Sequence, residues 1–419
     1  MNITIDLGQA IHALSDALDL VGVDQVLHGK RVGFMAMRCA EALALEGREL
    51  DDVFHAGLLH NCALSSAAAH PQMVNELDWE GSEQHCIQGG ELLAGFPPLA
   101  HLAPIIRYHH THWDELSTLG VPAATARLAN LIYLVDRVDA LAAPDDERDL
   151  LLIRHGVRDT IRRLSGSFFA PELVALFMEV SESEAFWLNL EARHLIRFIY
   201  ERERENRVVP ISFAELKQLA LIFACVVDAK SPYTLAHSLG TARLARFLAE
   251  CERLTPETCD KIEIAALLHD LGKLRVPEEV LEKPGPLTRD ERAAIQRHSF
   301  ETYQILRGIG GLEDITLWAA YHHEKPSGRG YPFQLRGAEL TIETRIIAVS
   351  DVFQALAQGR PYRQSLSPVQ ILEMLRTFVR NNHLDNEVVE QIGRHLDECW
   401  RLARSGGAAE PSTDADAPA

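Results

Sequence analysis

The spacing of its histidines constrains this chain more than any other feature. His60 follows His28 by 32 positions (60 − 28), and His269 follows His237 by 32 (269 − 237). His85 to His109 and His298 to His322 are each 24 apart (109 − 85, 322 − 298). Each set closes on a His-His pair, His109–His110 and His322–His323. An aspartate in an apolar segment follows, LIYLVDRVDAL around Asp136 and IIAVSDVFQAL around Asp351. Landmarks kept in this order at near-constant offset mark an internal duplication, so whatever fold one half takes, the other shares.

That fold is predicted to be all-α, two tandem helical bundles. Ile262–Leu268 leads apolar into His269–Asp270 and is expected to stop near Gly272 as a C-terminal cap. Thr288 and Glu291 have the spacing of a capping box ahead of His298. Leu317, Ala320 and Tyr321 fit a helix that ends at His322–His323. Long strand-like alternation is absent. At 419 residues two domains are expected, 1–205 and 206–404, joined near the charged run Glu201–Arg207 and Pro210. Residues 405–419, rich in Gly, Ala, Pro, Ser and Asp, read as a disordered tail.

Composition narrows the partners. Forty-one Lys and Arg against 60 Asp and Glu give a formal charge of −19, which opposes charge-driven contact with polymeric nucleic acid or an anionic membrane. An anionic substrate therefore needs a local cationic pocket. The seven cysteines show no CxxC pairing and read as reduced thiols. No signal peptide is apparent, and the longest apolar run, Leu219–Val227, is too short to span a bilayer. A soluble, cytoplasmic protein is expected.

The chemistry concentrates in the second half. His237, His269, Asp270, His298, His322, His323 and Asp351 form a set of imidazoles and carboxylates, donors that suit Fe, Mn, Zn or Ni. A lone histidine on an apolar helix is usually a packed core residue. Seven donors in order, ending in HHEKPSGRGYP (His322 to Pro332), leave that explanation little room. A cluster this rich could hold two ions close together, which points to hydrolysis of a phosphate ester by a metal-activated water.

HDLGK (His269 to Lys273) together with HHEKPSGRGYP resembles the HD-GYP domain, a branch of the HD phosphohydrolase superfamily, over roughly Ile211 to Cys399. The resemblance implies two divalent metal ions, Fe or Mn, on the seven residues just named, with Asp270 bridging them. It implies a catalytic part for Asp270 and Lys273, and phosphate contacts from Lys273, Tyr331, Arg360 and Arg363. Gly328 and Gly330 would let the backbone turn tightly beside the ligand. Some members recruit a third metal through a glutamate four residues before the first histidine. Tyr233 stands there, so two metals are expected. The implied activity is a phosphodiesterase that opens cyclic di-GMP to linear pGpG, in some members on to GMP. A subset prefers 3′,3′-cyclic GMP-AMP, and the layout here resembles that subset, although the motifs do not distinguish guanine from adenine. Two other readings stay open, an HD phosphohydrolase of simple nucleotides and a non-catalytic dinucleotide sensor or protein-binding module. A homodimer also stays open, and the family allows contact with diguanylate cyclases or other signalling proteins.

The first half keeps His28, His60, His85, His109, His110 and Asp136 but carries Asn61 where the second has Asp270. Asparagine is neutral and cannot act as an anionic bridge. Leu64 replaces Lys273, and THWDELSTLGVP follows His109–His110 in place of the GYP segment. This half is expected to be a degenerate HD-type regulatory or dimerisation domain without a two-metal centre, its histidines leaving room for a single ion.

Overall fold

The structure is a computed structural model that describes residues 5–21, 27–63, 82–142, 149–205, 209–228, 234–359 and 365–404. Among these residues the chain is helical, apart from a two-residue antiparallel ladder pairing Ile5 with Ile211 and Asp6 with Pro210. It divides into two compact units, Met1–Lys230 with Ile305–Leu312, and Ser231–Gln304 with Glu313–Ala419. The helix Phe213–Asp228 thus groups with the first unit. The expected tail, Tyr233, Leu64, Arg360 and Arg363 lie outside the described residues.

In the second unit five helices carry the histidines and aspartates: Thr234–Cys251, Pro256–Leu268, Arg289–Leu306, Glu313–Ala320 and Ile342–Ala357. Local chemistry starts them where the chain needs them. Thr255 Oγ1 accepts from the Thr258 N–H at 3.2 Å, with Pro256 at the first helical position. Thr288 and Glu291 exchange bonds reciprocally, the Thr288 N–H donating to Glu291 Oε2 at 2.7 Å and the Glu291 N–H to Thr288 Oγ1 at 3.3 Å. Ile262, Ile264, Ala265, Leu268, Ile315, Ala319, Ile346, Ile347 and Phe353 fill the core around the polar cluster.

Two sequence expectations change. The helix before His322–His323 ends at Ala320, so the pair sits in the following turn. Gly272 is no cap: it lies within a short 3-10 turn, Leu271–Arg275, and the reason for glycine there is a close approach. A Cβ on Gly272 would stand 2.0 Å from the His298 carbonyl oxygen.

The first unit repeats this order with His28–Ala42, Arg48–Leu59, Ser82–Ala94, Ala103–Arg107 and Ala123–Ala142. Among the described residues no helix is long and apolar enough to cross a membrane.

Candidate metal centre

His237 lies in the first turn of its helix, while His269 caps the next helix and Asp270 opens the turn beyond it. His298 and Asp351 project from mid-helix, and His322–His323 from the turn after Ala320. All seven side chains converge.

The imidazoles are aimed by their outer nitrogens. His269 Nδ1 donates to the Ala266 carbonyl at 2.7 Å, His298 Nδ1 to Ile295 at 2.5 Å and His322 Nδ1 to Ala319 at 2.7 Å. His237 Nδ1 donates to the side-chain oxygen of Gln354 at 2.5 Å. With Nδ1 protonated in His269, His298 and His322, their Nε2 lone pairs point inward, and the Nε2 of His237 faces the same way. They meet in pairs, His237–His269 at 3.3 Å and His298–His322 at 3.2 Å. Metal–nitrogen bonds of about 2.0–2.1 Å put neighbouring tetrahedral ligands roughly 3.3 Å apart.

Asp270 lies between the two pairs. Its Oδ2 is 3.4 Å from His237 Nε2 and 3.3 Å from His269 Nε2, and its Oδ1 is 3.5 Å from His298 Nε2 and 3.9 Å from His322 Nε2. One carboxylate therefore presents one oxygen to each pocket. Asp351 closes the first pocket, with Oδ1 3.2 Å from His237 Nε2, and its Oδ2 is 4.0 Å from His323 Nδ1. Lys273 Nζ sits 2.5 Å from Asp270 Oδ2.

Burial holds His269, His298, His322 and His323 below the usual imidazole range, His298 at about 3 and His323 at about 4, so these donors are neutral. Burial also pushes His237 down, but hydrogen bonds and charge from Asp270 and Asp351 outweigh it and raise the group to about 9. Burial alone would raise both carboxyls. His269, Lys273 and His237 instead hold Asp270 well below its ordinary value, and His237, His269 and His323 do the same for Asp351. Neutral imidazoles around two ionised, buried carboxylates favour positive charge between them. Nitrogen and oxygen donors of this kind fit first-row divalent ions.

The HHEKPSGRGYP segment packs over the second pocket. The Tyr331 ring centroid is 4.8 Å from that of His323, and its N–H donates to the His323 carbonyl at 3.3 Å. Burial raises the Tyr331 phenol well above its ordinary range, so it stays a neutral donor. Gly328 takes φ +71°, a left-handed turn that excuses it from a side chain. Gly330 serves its own loop, since a Cβ there would stand 2.4 Å from Glu324 Cα.

Three contributors escaped the sequence reading. The buried Glu324 carboxylate collects three backbone N–H groups, Phe333 at 2.6 Å and Gln334 at 2.9 Å on Oε1, and Leu335 at 3.0 Å on Oε2. It therefore ties down the loop that carries Tyr331. Gln354 orients His237 and also donates to the Ala236 carbonyl at 3.3 Å. Its position three residues after Asp351, on the same helical face, was a readable signal. Thr302 accepts from the Gly272 N–H at 3.0 Å and donates to the His269 carbonyl at 3.1 Å, fastening the His-Asp turn.

The first unit repeats much of this frame. His28 Nε2 and His60 Nε2 are 3.1 Å apart, and His85 Nε2 and His109 Nε2 3.3 Å. His60 Nδ1 donates to Gly57 O at 2.7 Å and His109 Nδ1 to Ile106 O at 2.6 Å. The charges differ. Asn61 offers an amide 3.3 Å from His28 Nε2, and the buried Arg137 guanidinium lies 2.7 Å from Asp136 Oδ2. Asp139 replaces Gln354 behind His28, at 2.7 Å from Nδ1, and is paired with Arg31 at 2.6 Å.

The fold and the paired His/Asp pockets define an HD-type helical protein. Residues 221–388 match the family model described as HD domain. The chain is 38% identical over 411 residues to the 3′3′-cGAMP-specific phosphodiesterase 1 of Vibrio cholerae, covering 95% of this chain and 94% of that protein. It is 37% identical over 182 residues to the cyclic di-GMP phosphodiesterase response regulator RpfG of Xanthomonas campestris, covering 42% and 45% of the two chains. Among solved structures, a cyclic GMP-AMP-specific phosphodiesterase of V. cholerae superposes with a TM-score of 0.64 at 23% identity, over 94% of this chain and 98% of the other, a likeness of fold. The chain belongs to the HD-GYP family of the HD superfamily.

Proposed function

We propose that the protein is a metal-dependent phosphodiesterase that linearises a cyclic dinucleotide, with 3′,3′-cyclic GMP-AMP its first substrate and cyclic di-GMP the second. The observation that carries the chemistry is Asp270, a buried carboxylate with one oxygen turned to each of two histidine pairs. The order of substrates rests on the relatives. Those matched along nearly the whole chain are named for 3′3′-cGAMP, whereas those named for cyclic di-GMP match about two fifths of it.

His237, His269, Asp351 and Asp270 Oδ2 would hold one ion, and His298, His322, His323 and Asp270 Oδ1 the other, Fe or Mn in each. When bound, the ions supply Lewis acidity toward the phosphoryl oxygens and a water acidic enough to attack phosphorus at neutral pH. A new phosphorus–oxygen bond forms, the bond to the 3′ oxygen breaks, and that oxygen leaves as a hydroxyl, giving a linear dinucleotide with a 5′ phosphate. Lys273 offers a point charge beside Asp270 for a phosphate oxygen, and Tyr331 a neutral phenol over the second pocket. Arg360 and Arg363 suit the second phosphate through their planar forks.

Residues 206–404 would form the catalytic domain and residues 1–205 a degenerate regulatory or dimerising partner. Free thiols throughout fit a cytoplasmic setting. The test is product chromatography after incubating the Mn²⁺- or Fe²⁺-loaded protein with each dinucleotide separately, with Asp270→Ala as control. Cleavage of 3′,3′-cyclic GMP-AMP, absent in the control, is expected. No cleavage of either dinucleotide by protein with its metals bound would overturn the reading in favour of a sensor.

A further inference from the structure

The first unit lost a bridging carboxylate, but at a second matched position it gained a thiol. Ser299, whose Oγ lies 3.3 Å from His298 Nε2, corresponds to Cys86, each residue directly following the third histidine of its set. Cys86 Sγ lies 3.8 Å from His85 Nε2 and 3.9 Å from His109 Nε2, and those two nitrogens are 3.3 Å apart. His110 completes the group, all four ligand atoms lying within 4.8 Å of one another.

These separations match the edges of a coordination tetrahedron. Bonds of about 2.0–2.1 Å to nitrogen and about 2.3 Å to sulfur give edges of roughly 3.3 Å between nitrogens and roughly 3.6 Å from nitrogen to sulfur. The lone pairs are aimed as well. His109 Nδ1 is committed to the Ile106 carbonyl, which turns Nε2 into the cluster. His110, 7% exposed, has Nε2 fully enclosed, without a hydrogen bond and 3.7 Å from Asp136 Oδ2. Cys86 is 2% and His85 5% exposed, and His109 is fully buried.

We propose that the first unit holds one thiophilic divalent ion of the zinc type on His85, Cys86, His109 and His110. One soft anion and three imidazoles are a donor set zinc accepts readily, and four protein ligands leave no open position for water. The site is therefore structural, not hydrolytic. In the neighbouring pocket of His28, His60 and Asp136 the Arg137 guanidinium, 2.7 Å from Asp136 Oδ2, competes with any ion for that carboxylate. Position 352 of the second unit, matched to Arg137, is valine, and there the carboxylates face only imidazoles and Lys273. Three substitutions, Asn61, Cys86 and Arg137, thus convert a carboxylate-bridged pair of pockets into a single thiolate site.

Cobalt(II) distinguishes this site from the second unit. A thiolate ligand gives cobalt an intense near-ultraviolet charge-transfer band, and the donors in the second unit are nitrogen and oxygen only. The full chain, stripped of metal and titrated with Co²⁺, should develop that band to a final amplitude of one thiolate-bound cobalt per chain and lose it when Zn²⁺ is added. Asp270→Ala should keep the band. Cys86→Ser, a residue the matched position already accommodates, should lose it while retaining cobalt in the second unit. A wild-type chain that binds cobalt without the band overturns the proposal, whether or not the variant folds. A band that survives Cys86→Ser overturns it equally.

Discussion

Gly272→Ala is the sharpest test of how the centre is assembled. The added Cβ would lie 2.0 Å from the His298 carbonyl oxygen and 2.8 Å from the His298 carbonyl carbon and Glu301 Cβ, whereas ordinary contact begins at 3.4 Å. The obstacle is backbone, which cannot rotate aside, so the His-Asp turn and the His298 helix must part by about 1.4 Å (3.4 − 2.0). Thr302 spans the same seam and must lose one of its bonds, to the Gly272 N–H at 3.0 Å or the His269 carbonyl at 3.1 Å. Overpacking of this kind costs about 1–3 kcal/mol. For a unit of this size each kcal/mol lowers Tm by about 2–4 °C, so the fold should survive. The site should not. Asp270 Oδ1 faces His298 Nε2 across 3.5 Å, and displacing that pair separates the two pockets. A misplacement near 1 Å can cost about 100-fold in rate. Turnover of the cyclic dinucleotide should fall by about that factor, with loss of metal from the second pocket measured by elemental analysis. Wild-type turnover and metal content in a folded variant would refute the packing argument.

Glu324→Gln keeps the volume but leaves one acceptor oxygen for three N–H donors. The Leu335 N–H would then face an amide nitrogen, losing a charge-assisted bond of about 1.5–3 kcal/mol. Hydrogen exchange at residues 333–335 should accelerate and turnover should drop, and unchanged protection there would refute the anchoring role. Asn61→Ala should leave turnover at the wild-type level with the protein folded. Abolished hydrolysis in a folded variant would show that the first unit shares in the chemistry.

The convergence of these seven side chains was legible because metal coordination would tolerate few residue types and fixed helices demand fixed spacing. His237 to Asp351 could be named from order alone. The helix starts were legible too, since Thr288 and Glu291 carry their hydrogen bonds in their own spacing. Glycine was harder to read. Gly272 suggests a cap, but its need arises from a helix that follows it by more than a dozen residues, and no local pattern reports such a contact. Glu324 was hidden in a motif whose other members drew attention as ligands, although it serves the backbone. In the first half the losses at the positions of Asp270 and Lys273 stand out in the sequence, whereas the gains, Cys86 and Arg137, are ordinary residues with no motif around them. A gain shows only when the two halves are compared position by position.

That comparison explains why the frame outlasts the chemistry. The bonds from His60 Nδ1 to Gly57 O and from His269 Nδ1 to Ala266 O are both 2.7 Å, and each satisfies a carbonyl at a helix end that would otherwise be buried without a partner. Losing such a histidine exposes the fold to the cost of an orphaned polar group, about 1–3 kcal/mol. Asn61 in place of the bridging carboxylate leaves the bonds from His60 and His109 to Gly57 and Ile106 intact. Selection for folding alone therefore retains the imidazoles and releases the bridging carboxylate, which only catalysis requires. On the proposal above, the imidazoles so retained would serve as ligands once a thiol stands at position 86.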